Sequence, residues 1–266
     1  MSRLHEARQV VSGAFRHRLL WLIQFVANPI LFGLFAGWLL IPVARTWQVI
    51  LNALLAIVIV IAVVAVHAGT MNYFSDTSRS ENPELAGAFL RATRHIVAIG
   101  VCAAIFYLFW NFLDKADSYQ FQLPAYIRSI LPVSIRRHLS LGLLQTTFEW
   151  MIFTARWIVL PGLVLPFLVR MADLGFSGFG RSGFSAWRKA MSSASYWLVL
   201  AGAVLVGVLA TQKVMNWTPD FRTSTLRHES ISLALRLPLA YLLGLFAWML
   251  TCSLLGRLGG GQRDAG

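Results

Sequence analysis

The chain has 266 residues, of which 57% are hydrophobic and only 13% carry a charge, and its mean hydropathy is +0.64. Soluble domains contain about 25% charged residues, so a water-soluble fold of this composition would expose too much apolar surface, and a soluble globular protein and a disordered chain are both excluded. The net charge of +12 does not indicate nucleic acid as a partner, because most of the basic residues lie in short loops beside apolar stretches, where they set orientation and meet anionic lipid headgroups.

Six apolar stretches follow one another along the chain, and each is long enough to cross a membrane as a helix, which takes about 20 residues. The sequence therefore predicts an all-α polytopic integral membrane protein, a single membrane domain over residues 1–266 with six transmembrane helices. The predicted spans are residues 19–41, 49–68, 96–113, 143–169, 194–214 and 237–255. Pro29 is expected to kink the first span, because it removes a backbone hydrogen bond and its ring clashes with the preceding turn.

Three similar segments precede the first, third and fifth spans. They are Ser12–Arg16, Ala86–Arg91 and Ser185–Lys189. Each places a small residue before an aromatic one and then one or more basic residues, and the alignment of Ala14, Ala88 and Ala186 gives spacings of 74 and 98. We predict three repeats, each a short interfacial helix followed by a transmembrane hairpin. The alternative is that any loop before a span is basic and aromatic.

The aromatic and basic residues of these segments are the predicted interfacial anchors. The aromatic rings and small residues are expected to enter the acyl boundary while the guanidinium groups reach the lipid phosphates. The predicted anchors are Phe15 and Arg16, Phe89 and Arg91, and Trp187 and Arg188.

In these three segments the chain loosely resembles a group of bacterial six-span membrane proteins, and it is similar to the membrane domain fused to some glycerophosphodiester phosphodiesterases. In that group a short helix of the alanine–aromatic–arginine kind precedes each of three hairpins. This chain lacks a phosphodiesterase domain, so no catalytic residue is carried over. The resemblance implies the architecture and a link to membrane lipids.

The distribution of basic residues predicts the orientation. With six spans, 13 of the 23 Lys and Arg residues fall on the side of the two termini and 8 on the other side. This bias favours cytoplasmic termini. Arg outnumbers Lys by 20 to 3, a composition typical of a GC-rich genome, so we expect the cytoplasmic (inner) membrane of a bacterium. The longest outer stretch, Asp114–Ser140, is expected to form one or two short helices on the outer surface.

Three charged residues lie at or within spans, where a charge is costly. They are Glu149, Arg156 and Arg236, which the topology puts in the outer half of the bundle as a possible polar cluster. The functional interpretation is a site for an anionic headgroup or substrate. The structural alternative is that both arginines reach lipid phosphate and Glu149 neutralises one of them.

The stretch from Gly175 to Gly183 contains four glycines. It lacks the strand and the lysine of a phosphate-binding loop, so we interpret it as a flexible inner loop. Cys102 and Cys252 lie within apolar runs and are interpreted as small packing residues.

No metalloprotease, serine hydrolase or nucleotide-binding motif is present, and no second His or carboxylate stands at metal-ligand spacing beside His67. We therefore predict a protein that is not an enzyme and that holds neither a metal nor a cofactor. Its expected work is membrane assembly, or the binding or movement of a lipid or small hydrophobic solute, with membrane lipids and other membrane-protein subunits as partners. The alternatives are an intramembrane lipid-processing enzyme that uses the Glu149 region, and a transporter or channel.

Overall fold

The computed structural model of the chain describes residues 3–42, 44–80, 83–217 and 226–260, and every regular element in these ranges is helical, as predicted. In chain order the helices are α1 (Arg3–Arg16), α2 (Arg18–Leu39), α3 (Thr46–Thr77), α4 (Leu85–Arg94), α5 (Ile96–Asp117), α6 (Gln122–Ile130), α7 (Val133–Arg136), α8 (Leu141–Thr154), α9 (Leu160–Leu174), α10 (Arg181–Ser192), α11 (Ala194–Val204), α12 (Thr211–Met215) and α13 (Leu226–Gly260). A π-helical turn over Ala155–Val159 joins α8 to α9, and a second over Leu205–Ala210 joins α11 to α12.

Six segments of the described chain are long and apolar enough to cross a membrane, which confirms the predicted number. They are Arg18–Leu39, Thr46–Thr77, Ile96–Asp117, Leu141–Phe179, Ala194–Met215 and Glu229–Arg257. We number these apolar segments one to six. The stretch between the third and fourth contains two short helices, α6 and α7, in agreement with the prediction for this part of the chain.

The helices extend beyond the apolar runs that define the predicted spans. The second run ends at residue 68, whereas α3 continues to Thr77. Six of the eight buried residues of α3, between Gly69 and Ser75, belong to this extension. The helix continues because its last two turns are buried against α4 and α13, a stabilisation that hydropathy does not register.

Helix α13 is the centre of the bundle. Of its most apolar stretch 61% is buried, against 6–28% in the other five segments. It packs against α1, α2, α3, α9, α10, α11 and α12. The core therefore forms around the last helix of the described chain, with Met249, Cys252 and Leu255 fully enclosed.

Three short helices, α1, α4 and α10, lie at one end of the bundle, which we call the short-helix end. Helix α1 packs on the last turns of α13, where the Ser253 hydroxyl donates to the Val10 carbonyl at 2.8 Å. Helix α4 packs on the last turns of α3, where the Asn72 amide donates to the Ala88 carbonyl at 3.3 Å. Helix α10 packs on α9.

The short helices are thus arranged in a cycle. Both α4 and α10 pack on the apolar segment that directly precedes them, whereas α1 packs on the sixth. The residues at the aligned positions Ala14, Ala88 and Ala186 are 0%, 0% and 2% exposed. The small residues therefore face the protein and not the acyl boundary, because an alanine lets a helix approach its neighbour closely.

Two tyrosines compensate for two prolines inside the long helices. Pro29 has no N–H for the carbonyl of Phe25 one turn earlier, and Pro166 has none for that of Gly162. The Tyr241 hydroxyl donates to the Phe25 carbonyl at 3.0 Å, and the Tyr196 hydroxyl donates to the Gly162 carbonyl at 2.8 Å. The carbonyl that each proline leaves without a donor is therefore used in a hydrogen bond between two helices. Tyr241 links α13 to α2 in this way, and Tyr196 links α11 to α9.

Candidate anion-binding clefts at the short-helix end

The predicted polar cluster of Glu149, Arg156 and Arg236 is not assembled as expected. Arg156 pairs with two carboxylates of α5, Asp114 at 3.2 Å and Asp117 at 3.5 Å. Its guanidinium carbon also lies 5.5 Å from the centroid of the Trp110 ring, within the range of a cation–π contact. Because these partners on the neighbouring helix are within direct reach, Arg156 does not need the carboxylate two turns away on its own helix.

The other two members of the predicted cluster have contacts of their own within the described residues. Arg236 donates to the carbonyls of Met215 and Trp217 at 2.8 and 2.7 Å, where α12 ends and its last carbonyls lack helical donors. Glu149 is exposed and forms no ion pair within the described residues. The two arginines thus bind separate protein groups and the carboxylate is exposed, and a joint role for the three residues stays a prediction.

The predicted anchors of the first and third copies lie on the surface of the short-helix end. Phe15 is 53% exposed and stacks on Trp21 with a centroid distance of 5.6 Å. Arg16 and Arg188 are exposed, and Trp187 is half-buried. These four anchors are free to meet a membrane surface, and their depth in the membrane stays a prediction.

The second copy differs, because its anchors contact the protein. Phe89 packs against Gly69 of α3, where a Cβ atom would lie only 2.7 Å from the Phe89 ring. Arg91 forms an ion pair with Asp76, at the end of α3, and its Nε lies 3.7 Å from Asp173. The glycine leaves room for the ring and two carboxylates attract the guanidinium, so both anchors of this copy contact the bundle.

A network of ion pairs connects the short-helix end. Asp173, in the last turn of α9, is 10% exposed and accepts from Arg79 at 2.9 Å as well as facing Arg91. Arg79 follows α3, so one carboxylate links the ends of the second and fourth apolar segments to α4. Arg170, one turn before Asp173, is only 4% exposed. The bundle thus encloses three guanidinium groups near two carboxylates.

The glycine-rich stretch forms a tight turn, which corrects its interpretation as a flexible loop. Gly175 adopts φ +65, a left-handed conformation that glycine tolerates best. A Cβ atom on Gly178 would lie 2.6 Å from the Arg170 carbonyl, and one on Gly183 would overlap the Gly178 carbonyl oxygen. The glycines are needed because backbone packs on backbone, and this close packing folds α10 back along α9.

The turn and α10 form one side of an open cleft of about 770 Å³. The cleft is lined by Arg79, Arg170, Asp173, Leu174, Arg181, Ser182, Phe184, Ser185, Trp187 and Arg188. Four guanidinium groups therefore face one carboxylate, and that carboxylate already pairs with Arg79. We call this the α9–α10 cleft; its charge and its two hydroxyl groups suit an anion.

A second cleft of about 830 Å³ lies on the other side of Arg79. It is lined by Gly13, Arg16, His17, Phe74, Thr77, Ser78, Arg79, Ser80, Pro83, Ser253 and Arg257. Burial and the neighbouring Arg16 lower the pKa of His17, so the imidazole is mainly neutral near pH 7. The positive charge of this second cleft therefore comes from its three arginines. With both clefts lined by arginines, the short-helix end as a whole presents positive charge.

The sequence contained a signal for this site that the prediction did not use. Asp76 and Asp173 each lie at the end of an even-numbered apolar segment, and Arg170 directly follows the predicted fourth span. The prediction used Arg79 and Arg170 only as charges that set orientation. Acidic and basic residues that adjoin span ends on the same side of a membrane can pair with one another, which would have indicated a polar site at this end.

No protein-family model, curated protein or solved structure matches this chain. Within the described ranges no group of three or more His, Cys, Asp or Glu residues is placed to hold a metal ion. The chemistry of the short-helix end therefore follows from its arginines, its hydroxyl groups and its exposed aromatic rings.

Proposed function

We propose that the chain is a non-enzymatic integral protein of the bacterial inner membrane that binds anionic membrane lipids at its short-helix end and serves membrane assembly or the movement of a lipid or small hydrophobic solute. The observation that carries this proposal is the pair of arginine-lined clefts beside exposed aromatic side chains. A basic surface next to apolar rings is the combination that holds proteins at a headgroup layer. Other subunits of a membrane complex are further partners in this proposal.

The proposal includes three repeats, each a short helix followed by a transmembrane hairpin. Contacts between α2 and α3, between α5 and α9, and between α11 and α13 support the three hairpins. The burial of Ala14, Ala88 and Ala186 supports equivalent roles for the short helices. The resemblance to bacterial six-span proteins and to the membrane domain of some glycerophosphodiester phosphodiesterases belongs to the same proposal.

Retained lipid tests the proposed function. The full chain is purified from a bacterial membrane in a mild detergent, washed extensively, and its remaining phospholipids are quantified by mass spectrometry. We expect the retained fraction to be enriched several-fold in anionic over zwitterionic phospholipid, because the arginines attract phosphate that carries a net charge. Retained lipid with the composition of the bulk membrane would contradict the proposed function.

The orientation is part of the proposal, with both termini and the short-helix end in the cytoplasm. Single cysteines at Ser118 and Ser182 test it, in a chain whose buried Cys102 and Cys252 are replaced by alanine. A membrane-impermeant thiol reagent is expected to label position 118 in intact cells and position 182 only after the cells are opened. Labelling in the opposite pattern would reverse the orientation.

A further inference from the structure

We propose that the α9–α10 cleft is the specific binding site for the phosphate group of an anionic phospholipid. This inference rests on the proposed function and deepens it, since it assigns the lipid contact to one cleft and to named side chains. The argument begins with charge. Four arginines and one aspartate line the cleft, and the ion pair between Asp173 and Arg79 leaves an excess of positive charge.

Two of these arginines are available to a ligand. Arg181 and Arg188 lie on α10 and are exposed, and within the described residues neither forms an ion pair. A guanidinium group donates two parallel hydrogen bonds to a phosphate and is the side chain best suited to that geometry. Seven residues apart, the two lie on the same face of α10.

The backbone and hydroxyl groups add donors on the same side. Helix α10 has 12 residues and begins at Arg181, after Gly180, whose N-cap position contributes no side-chain hydrogen bond. Its first N–H groups and the positive end of its dipole favour an anion. The Ser185 hydroxyl lines the cleft beside them. The Ser182 hydroxyl also lines it and donates to the Ser177 carbonyl at 3.5 Å. Phosphate accepts from all three kinds of donor.

The rim of the cleft distinguishes a lipid from a free anion. Phe184 is 62% exposed and Leu174 is 40% exposed, and the half-buried Trp187 also lines the cleft. A soluble phosphate gains nothing from these apolar side chains. A phospholipid places its glycerol and acyl chains against them while its phosphate reaches the arginines, so the whole lining is complementary to one amphipathic ligand.

The test compares the wild-type chain with two double variants in neutral detergent. In the cleft variant, Arg181→Gln and Arg188→Gln remove the two available guanidinium groups. In the control variant, Arg18→Gln and Arg94→Gln remove the same charge from exposed positions of the short-helix end that line neither cleft. Binding of short-chain phosphatidylglycerol is measured below its micellar concentration as a saturable rise in Tm. Short-chain phosphatidylcholine and inorganic phosphate are the comparison ligands.

We expect the wild type and the control variant to bind phosphatidylglycerol with affinities within about threefold of each other. The cleft variant is expected to bind it about 10- to 100-fold more weakly, because the loss of one charge-assisted hydrogen bond corresponds to about a tenfold change in affinity. Equal binding by the cleft variant and the wild type would overturn the site while the proposed function stands. Equal affinities for inorganic phosphate and phosphatidylglycerol would overturn the lipid assignment. A wild type that does not prefer phosphatidylglycerol to phosphatidylcholine would overturn the proposed function itself.

Discussion

Asp173→Asn is expected to lower the free energy of unfolding by about 2–3 kcal/mol, between the cost of breaking an exposed ion pair and that of breaking a fully buried one. The substitution keeps the shape of the side chain and removes its charge. Asp173 is 10% exposed, and its partner Arg79 is 13% exposed at a distance of 2.9 Å. Arg170 lies one turn away and is still more deeply buried. Without this carboxylate, three guanidinium groups repel one another where water screens them poorly.

The measurement is thermal unfolding of the purified protein in detergent at neutral pH. Asp114→Asn is the matched control, because Asp114 pairs with Arg156 at 3.2 Å but its side chain is 68% exposed. An exposed pair contributes about 0–1 kcal/mol, so the control is expected to unfold close to the wild-type temperature. Similar small losses for both variants would mean that the network at the short-helix end is solvated.

Gly183→Ala is expected to destabilise the protein by about 2–3 kcal/mol, although alanine is the better helix former. The added methyl group would overlap the Gly178 carbonyl oxygen, and the Phe167 ring lies 3.1 Å from the same position. A backbone carbonyl held in a tight turn does not rotate away as a flexible side chain does. The strain falls in the range for overpacked cores and moves α10 away from α9.

Gly202→Ala provides the comparison, since it makes the same substitution inside α11 at a position with nothing within 4 Å of the added atom. There the higher helix propensity of alanine is unopposed, and the expected change is neutral to about 1 kcal/mol stabilising. Thermal unfolding of the two variants beside the wild type gives the result. If both raised the unfolding temperature, the glycine-rich stretch would be the flexible loop that its composition suggests.

The six long helices were predictable because the signal for each is local. An apolar run of about 20 residues must form a helix in a membrane whatever its neighbours are. The buried extension of α3 was not predictable in this way, since residues such as Asn72 and Ser75 lower the hydropathy while they are enclosed by α4 and α9. Only their tertiary contacts keep those turns helical.

The partners in the ion pairs also depend on tertiary contacts that the local sequence does not specify. Sequence reasoning looked for the partner of Arg156 on its own helix, at Glu149, where helical spacing puts two residues on one face. The actual partners lie 39 and 42 positions earlier in the chain. Choosing between them requires knowing which helices are neighbours, and nothing in the spacing of α5 and α8 specifies that.

The interpretation of the glycine-rich stretch as a flexible loop was wrong for a different reason. Its composition is shared by flexible linkers and by turns in which two backbones touch. What separates the two is whether neighbouring atoms occupy the space that a Cβ would fill, and at Gly178 those atoms belong to Arg170. That information is absent from the order of residues within the stretch itself.

The docking of α1 on α13 affects how the molecule is made. The hydrogen bond between Ser253 and the Val10 carbonyl joins residues 243 positions apart. Since a ribosome delivers the chain from its N-terminus, α1 is complete long before the surface that will receive it exists. Helix α1 can therefore reach its final position only after the last turns of α13 have been made. A truncation before residue 253 therefore leaves α1 without the part of α13 on which it packs.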